Sequence, residues 1–248
     1  MTEGLPPPPA APAVDPSPGW GLGDVVGGAI LALVGSQVVL AVILAATGRT
    51  TDEIDDLPLS LVAVSQLGLW LGLLGVPLLV TRWKGRGLVA DLGLRFELRD
   101  LWVGGSLGAF VQLAVLPLLY WPLLHLLGEG SSDLEKPARE LTDRADGALG
   151  VVLLVLIVGI GAPVIEEIFY RGLFQRALRK RGLRAVPSIV IVAVVFGLSH
   201  GELLQLPALV IFGGLAGWLA HRHDRLGPSI AAHVAFNMVT VIALLASR

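Results

Sequence analysis

The chain has 248 residues, 54% hydrophobic and 15% charged, with a mean hydropathy of +0.76; soluble domains carry about 25% charge, so the solvent for most of this one is a bilayer. A formal net charge of -2, with the cations confined to loops between apolar runs, excludes a nucleic-acid partner. The absence of cysteine excludes disulfides, thiolate metal ligands and cysteine nucleophiles, leaving carboxylate and imidazole chemistry.

Lipid offers backbone amides no partner, and the apolar runs are too long and unbroken for barrel strands, so the fold class is all-α, a polytopic transmembrane helical bundle. Residues 1–20, rich in Pro and Ala and including Pro6-Pro7-Pro8-Pro9, are expected to be a disordered cytoplasmic tail ahead of a membrane domain over 21–248. The first run, Leu22 to Ala46, lacks the positive start of a signal peptide and is too long for its apolar core, which predicts a retained helix. Further runs at Leu59–Val80, Leu101–Leu127, Ala148–Phe174, Val186–His200, Leu203–Ala220 and Pro228–Ala246 bring the count to about seven spans. The fifth is short: about 15 residues precede Gly201, enough for roughly 22 Å of a hydrocarbon core about 30 Å thick.

Lys and Arg crowd three loops: Arg82 to Arg99, Arg171 to Arg184, and Arg222 with Arg225. These alternate to lie on one side, which the positive-inside rule makes the cytoplasm; the N-terminus is then inside, and the acidic loops around Asp52–Asp56 and Gly128–Asp146 face out. Trp20, Trp83, Trp102, Trp121 and Trp218 fall near run ends, where an indole sits at headgroup level with a wet N–H. The excess of Arg over Lys points to a bacterial cell membrane as the location.

Within the fourth run, Gly161-Ala162-Pro163-Val164-Ile165-Glu166-Glu167-Ile168-Phe169-Tyr170-Arg171-Gly172 sets two carboxylates in an apolar helix. A charge at helix centre costs about 2.5–3.5 kcal/mol on insertion scales, so both must face protein or water. Residues four apart nearly superpose, so Glu167 pairs with Arg171 in the favourable order while Glu166, about 100° away, is left free as a general base. Pro163 removes a backbone hydrogen bond and is expected to kink the helix and open space beside the pair. Alone, the pair reads equally well as a structural ion bridge. It is joined by Phe196-x-x-x-His200 closing the fifth run and His233-x-x-x-Asn237 in the seventh, each stacking two side chains on one face. A single boundary histidine or bundle asparagine is usually packing or interhelical glue; three polar clusters on three helices argue for a site. Gln66, Gln112, His125, and Gly213, Gly214 and Gly217 read as packing or interhelical contacts, and His221 and His223, flanking Arg222, project apart on a helix.

Glu166-Glu167-x-x-x-Arg171, Phe196-x-x-x-His200 and His233-x-x-x-Asn237, in that order, resemble the three motifs of the CAAX protease and bacteriocin-processing family of intramembrane peptidases, to which type II CAAX prenyl endopeptidases belong. The resemblance covers about 148–246. It implies an intramembrane endopeptidase of glutamate or metallo type acting on a membrane-associated peptide or protein. Glu166 and His200 would activate water, Glu167 with Arg171 would hold the helix, and His233 with Asn237 would stabilise the oxyanion. Glu166, His200 and His233 also supply the oxygen and nitrogen ligands that a divalent metal such as zinc accepts, and metal-free acid–base activation fits the same residues. Three other readings stand beside it. Ser199, followed by His200 and with His233 on another helix, could form an intramembrane serine dyad, the buried ionisable groups could form the pathway of a proton- or ion-coupled transporter, and the chain could be a catalytically silent immunity or scaffold protein.

Overall fold

The computed structural model describes residues 18–248, so most of the expected tail lies outside the described residues. The described chain is helical throughout, with no strand among the described residues. Eight principal helices follow one another: α1 (Leu22–Thr47), α2 (Leu59–Lys84), α3 (Leu98–Leu127), α4 (Ser131–Asp143), α5 (Gly147–Lys180), α6 (Ala185–Leu198), α7 (Leu206–His223) and α8 (Gly227–Ala246). Five of them, α1, α2, α3, α5 and α8, are long and apolar enough to cross a membrane. The count of about seven is therefore not reproduced. α6 has only 14 residues and stops before the left-handed Gly201 (φ 75°), and α7 ends on the polar His221-Arg222-His223.

Local chemistry sets the boundaries. α1 and α3 open with an aspartate in the first turn accepting from the preceding backbone N–H, Asp24 from Gly21 (2.9 Å) and Asp100 from Glu97 (2.8 Å). Both close on a glycine in the left-handed region, Gly48 (φ 68°) and Gly128 (φ 72°). Inside α2, α3 and α5, segments of wider π-helix at Leu71–Gly75, Val111–Val115 and Val155–Gly161 each end two residues before a proline: Pro77, Pro117 and Pro163. A proline has no N–H and its ring collides with the carbonyl four residues back; a widened turn moves that carbonyl aside and lets the helix continue. The disruption expected at Pro163 thus takes the form of a wide turn within a helix that continues to Lys180.

Close backbone contacts set two helix pairs. α1 and α2 touch through Gly35, Gly68 and Gly72, and α3 meets α8 through Gly104 and Gly108. A Cβ on Gly108 would lie 2.0 Å from the Ala232 carbonyl oxygen, whereas one on Gly105 meets nothing within 4 Å. Gly108→Ala is therefore expected to lose about 1–3 kcal/mol or more through overpacking. Gly105→Ala is expected to be neutral or slightly stabilising, and thermal unfolding of the two in detergent checks the contrast.

Two expectations are corrected. The acidic 128–146 segment is not simply a loop. It contains α4, whose Leu134, Pro137, Ala138 and Leu141 recur at helical spacing and turn inward beneath a charged outer face. Trp20 does not sit with a wet N–H: it is 3% exposed, its ring covered by the Lys180 ammonium at 4.2 Å, while the other four named tryptophans are exposed. At the same end of the bundle, Arg225 clamps Asp100 through Nε (3.1 Å) and Nη2 (2.6 Å), and Leu226 N–H donates to Gly93 O (2.8 Å), fixing the start of α8 against the start of α3.

Candidate active site

α5 carries Glu166 and Glu167 between two π segments, Val155–Gly161 and Ile168–Gln175. The Glu167–Arg171 pair forms as the i, i+4 spacing requires, with Arg171 Nη1 donating to Glu167 Oε1 at 2.8 Å and neither side chain exposed. Isolated in lipid, such a pair barely offsets its desolvation, so its further partners matter. Arg171 Nη2 donates to the Gly213 carbonyl of α7 (3.1 Å), and the guanidinium lies 4.6 Å over the Phe196 ring of α6. One side chain thereby ties α5 to α6 and α7. Gly213, which packs against Ala193, is a contact residue as expected and also lends this carbonyl.

Glu167 does more than hold the helix. Its Oε1 is also bonded to Nδ1 of the buried His233 on α8, at 2.9 Å. A carboxylate accepts, so Nδ1 carries the proton and Nε2 is the nitrogen turned to Glu166, whose Oε2 lies 3.8 Å away. That gap is too wide for a direct hydrogen bond and suits one bridged by water. Phe212 and Phe196 pack on the imidazole, with centroids at 4.8 and 5.7 Å, and limit its rotation.

His200, on the turn after α6, is held in the same manner: Nδ1 lies 2.7 Å from the Phe196 carbonyl, which can only accept, leaving Nε2 for other partners. Asn237 is committed on one side. Ala162 N–H reaches back five residues to Ile157 O in the π segment. At the same spacing the Val158 carbonyl would face the nitrogen of Pro163, which has no hydrogen. Asn237 Nδ2 donates to Val158 O at 2.8 Å, satisfying the carbonyl that the proline leaves unpaired and tying α8 to α5.

Glu166, His200, His233 and Asn237 line one cavity of about 730 Å³, and Glu166 keeps 17% of its side chain exposed there. Glu167 and Arg171 stand behind it. The rest of the wall is mainly apolar, from α3, α4, α5, α7 and α8, with Gln66, Gln112, Tyr120 and Thr240 among its polar members. Gln66 and Gln112 thus belong to the cavity, and the buried Gln112 Oε1 has no hydrogen-bond partner. Among the described residues no three His, Asp or Glu side chains are grouped to hold a metal ion, although Glu166, His200 and His233 line the same cavity. Nδ1 of both imidazoles is engaged, which leaves each Nε2 as the nitrogen turned toward a ligand or substrate.

Ser199 donates to Phe196 O and accepts from Tyr170 OH, both at 2.8 Å, so its hydroxyl bonds hold α5 against α6 and none goes to a histidine. Ser199→Ala is expected to retain cleavage within about threefold and to cost no more than about 1–2 kcal/mol of stability, the size of one or two lost hydrogen bonds; loss of all cleavage in that variant would restore the serine reading. The Tyr170–Ser199 link was not read from the sequence, because it spans two helices with no fixed spacing between them.

Carboxylate, imidazole and amide groups gathered around a cavity inside an apolar helical bundle define an integral membrane protein with an enzyme-like interior. Residues 148–239 match the family described as type II CAAX prenyl endopeptidase Rce1-like. The match supports the CAAX protease family, a family of peptidases, and includes Glu166, Glu167, Arg171, His200, His233 and Asn237. No curated protein and no solved structure matches the chain.

Proposed function

We propose that the chain is an intramembrane endopeptidase that hydrolyses a peptide bond of a membrane-associated peptide or protein with water activated by Glu166. The observation that carries this reading is the convergence of Glu166, His200, His233 and Asn237 on one cavity, with Glu166 Oε2 3.8 Å from His233 Nε2. A water between those two atoms would give its proton to the Glu166 carboxylate as its oxygen bonds to the scissile carbonyl carbon. The remaining N–H of Asn237 would face the resulting oxyanion, and the unprotonated Nε2 of His233, oriented by Glu167, or of His200 would accept the other hydrogen of the water and hold it for attack. Collapse breaks the carbon–nitrogen bond; Glu166 returns its proton to the departing amine, and the water oxygen stays in the new carboxylate. Glu167 and Arg171 act through His233 and the helices they tie, as positioning residues.

The apolar wall suits a lipid-embedded or amphipathic segment. Arg-rich loops and the N-terminus are proposed to face the cytoplasm of a bacterial cell. Purified protein in proteoliposomes, given apolar peptides or a pH gradient, tests the proposal against a transporter. Glu166-dependent cleavage that persists in chelator is expected; proton-driven flux without cleavage would replace the peptidase by a transporter.

A further inference from the structure

The cavity lies in one half of the bundle. Its walls come from the C-terminal halves of α3 and α8, the N-terminal parts of α5 and α7, and α4, and its rim includes the exposed Trp121 and Ser131. It therefore opens at the end carrying the 48–58 and 128–146 segments. The other direction is closed by the buried Glu167–Arg171 pair and, behind it, by the fully buried Leu173, Ala177, Leu219 and Leu226. A separate cavity of about 380 Å³ at that far end shares no lining residue with the first.

Charge is divided between the same two ends. Of the 18 Lys and Arg, only Arg49, Lys136, Arg139, Arg144 and Arg248 lie at the end where the active-site cavity opens. Asp52, Glu53, Asp55 and Asp56 sit in one segment there, and Glu129, Asp133, Glu135, Glu140, Asp143 and Asp146 in the other. A cation-poor end is the one that crosses to the far side of the membrane. The charged side chains lining the cavity, among the described residues, are Glu135 and Glu166, with no Lys or Arg. Glu135 is paired with Arg139 at 2.8 Å, so a free C-terminal carboxylate bound there would meet the Glu166 carboxylate and only a cation already engaged, whereas an ammonium or guanidinium would be attracted.

On the peptidase reading above, we infer that the site is entered from the extracytoplasmic side and selects an apolar peptide segment flanked by a cationic residue, cutting an internal bond and not one beside a free C-terminal carboxylate. The acidic end draws the cationic flank, α4 and the leucine wall accept the apolar segment, and Glu166 meets the bond between them.

Because the chain has no cysteine, a single introduced one is the sole thiol. Glu129→Cys and Arg181→Cys, both exposed and at opposite ends, are treated in intact cells with a membrane-impermeant maleimide. Labelling of the first at once and of the second only after permeabilisation is expected; the reverse pattern overturns the inference. Right-side-out vesicles then receive external apolar peptides flanked by Lys or by Glu, with free or amidated C-termini. The Lys-flanked peptide should show a kcat/KM at least about tenfold higher, equivalent to about 1.4 kcal/mol, with amidation without effect. Equal rates for the two flanks, a requirement for a free C-terminus, or cleavage only after the vesicles are opened would each overturn the inference while leaving the peptidase intact. No cleavage of any peptide even in opened vesicles would instead remove the peptidase reading on which the inference rests.

Discussion

Glu166→Gln is expected to lower peptide cleavage by about 10²–10⁴-fold, the usual contribution of a general base, with little change in thermal unfolding. The two parts of this expectation have separate causes. An amide has the shape of the carboxylate but cannot take a proton from water. Structurally, the nearest ionisable partner of Glu166 among the described residues is the neutral His233, its Nε2 at 3.8 Å and beyond hydrogen-bond length, so the fold loses little when the carboxylate charge is removed. Initial rates on a labelled peptide, read beside the melting temperature of the same preparation, separate the two. A variant that cleaves normally would move the base elsewhere; one that unfolds would make Glu166 a structural residue.

The largest stability effect belongs to Arg171. Arg171→Met is expected to cost about 3–5 kcal/mol, because removing one member of a fully buried pair strands the other. Glu167, with no exposed side-chain surface, would keep only the neutral His233 and Ser229 as partners and no cation, and the Gly213 carbonyl would lose the guanidinium donor. Adding Glu167→Gln to Arg171→Met should recover part of the loss by removing the stranded charge. Arg171→Lys is expected to fall nearer to Met than to the parent, since one ammonium cannot reproduce the fork that reaches Glu167 with one nitrogen and Gly213 with the other. Unfolding in detergent ranks the four proteins; a double variant less stable than Arg171→Met would contradict the account.

The parts of the site that helical spacing alone fixes were readable in the sequence. Glu167 with Arg171, and the separate direction of Glu166, follow from 3.6 residues per turn, and the order of the three motifs placed the polar clusters on three separate helices. What depends on rotation of one helix against another was not readable. The Glu167–His233 bond is of this kind, and it changes Glu167 from a helix clamp into the group that orients an imidazole. Asn237 shows a second limit: its bond to Val158 exists because Pro163 is preceded by a wide turn, and hydrophobic periodicity does not distinguish a π segment from ordinary helix. α4 was obscured by its charges, although Leu134, Ala138 and Leu141 repeat at helical spacing. The sixth run was displaced because apolarity marks Leu203 and Leu204 as membrane residues, whereas Pro207, near the helix start, sets where α7 begins. On α3, Gly104-x-x-x-Gly108 was as visible in the sequence as the glycines of α7, yet only its partner, the Pro228–Ala232 face of α8, reveals how closely the two backbones meet.

The most direct measurement is peptide cleavage in water enriched in heavy oxygen, followed by mass spectrometry, with the parent protein, Ser199→Ala and Glu166→Gln in parallel. The account predicts one broken peptide bond with the heavy oxygen in the new carboxyl group for the first two proteins, and product at least about 100-fold less for Glu166→Gln. Product formed by Glu166→Gln at the parent rate, or its disappearance in Ser199→Ala, would contradict it.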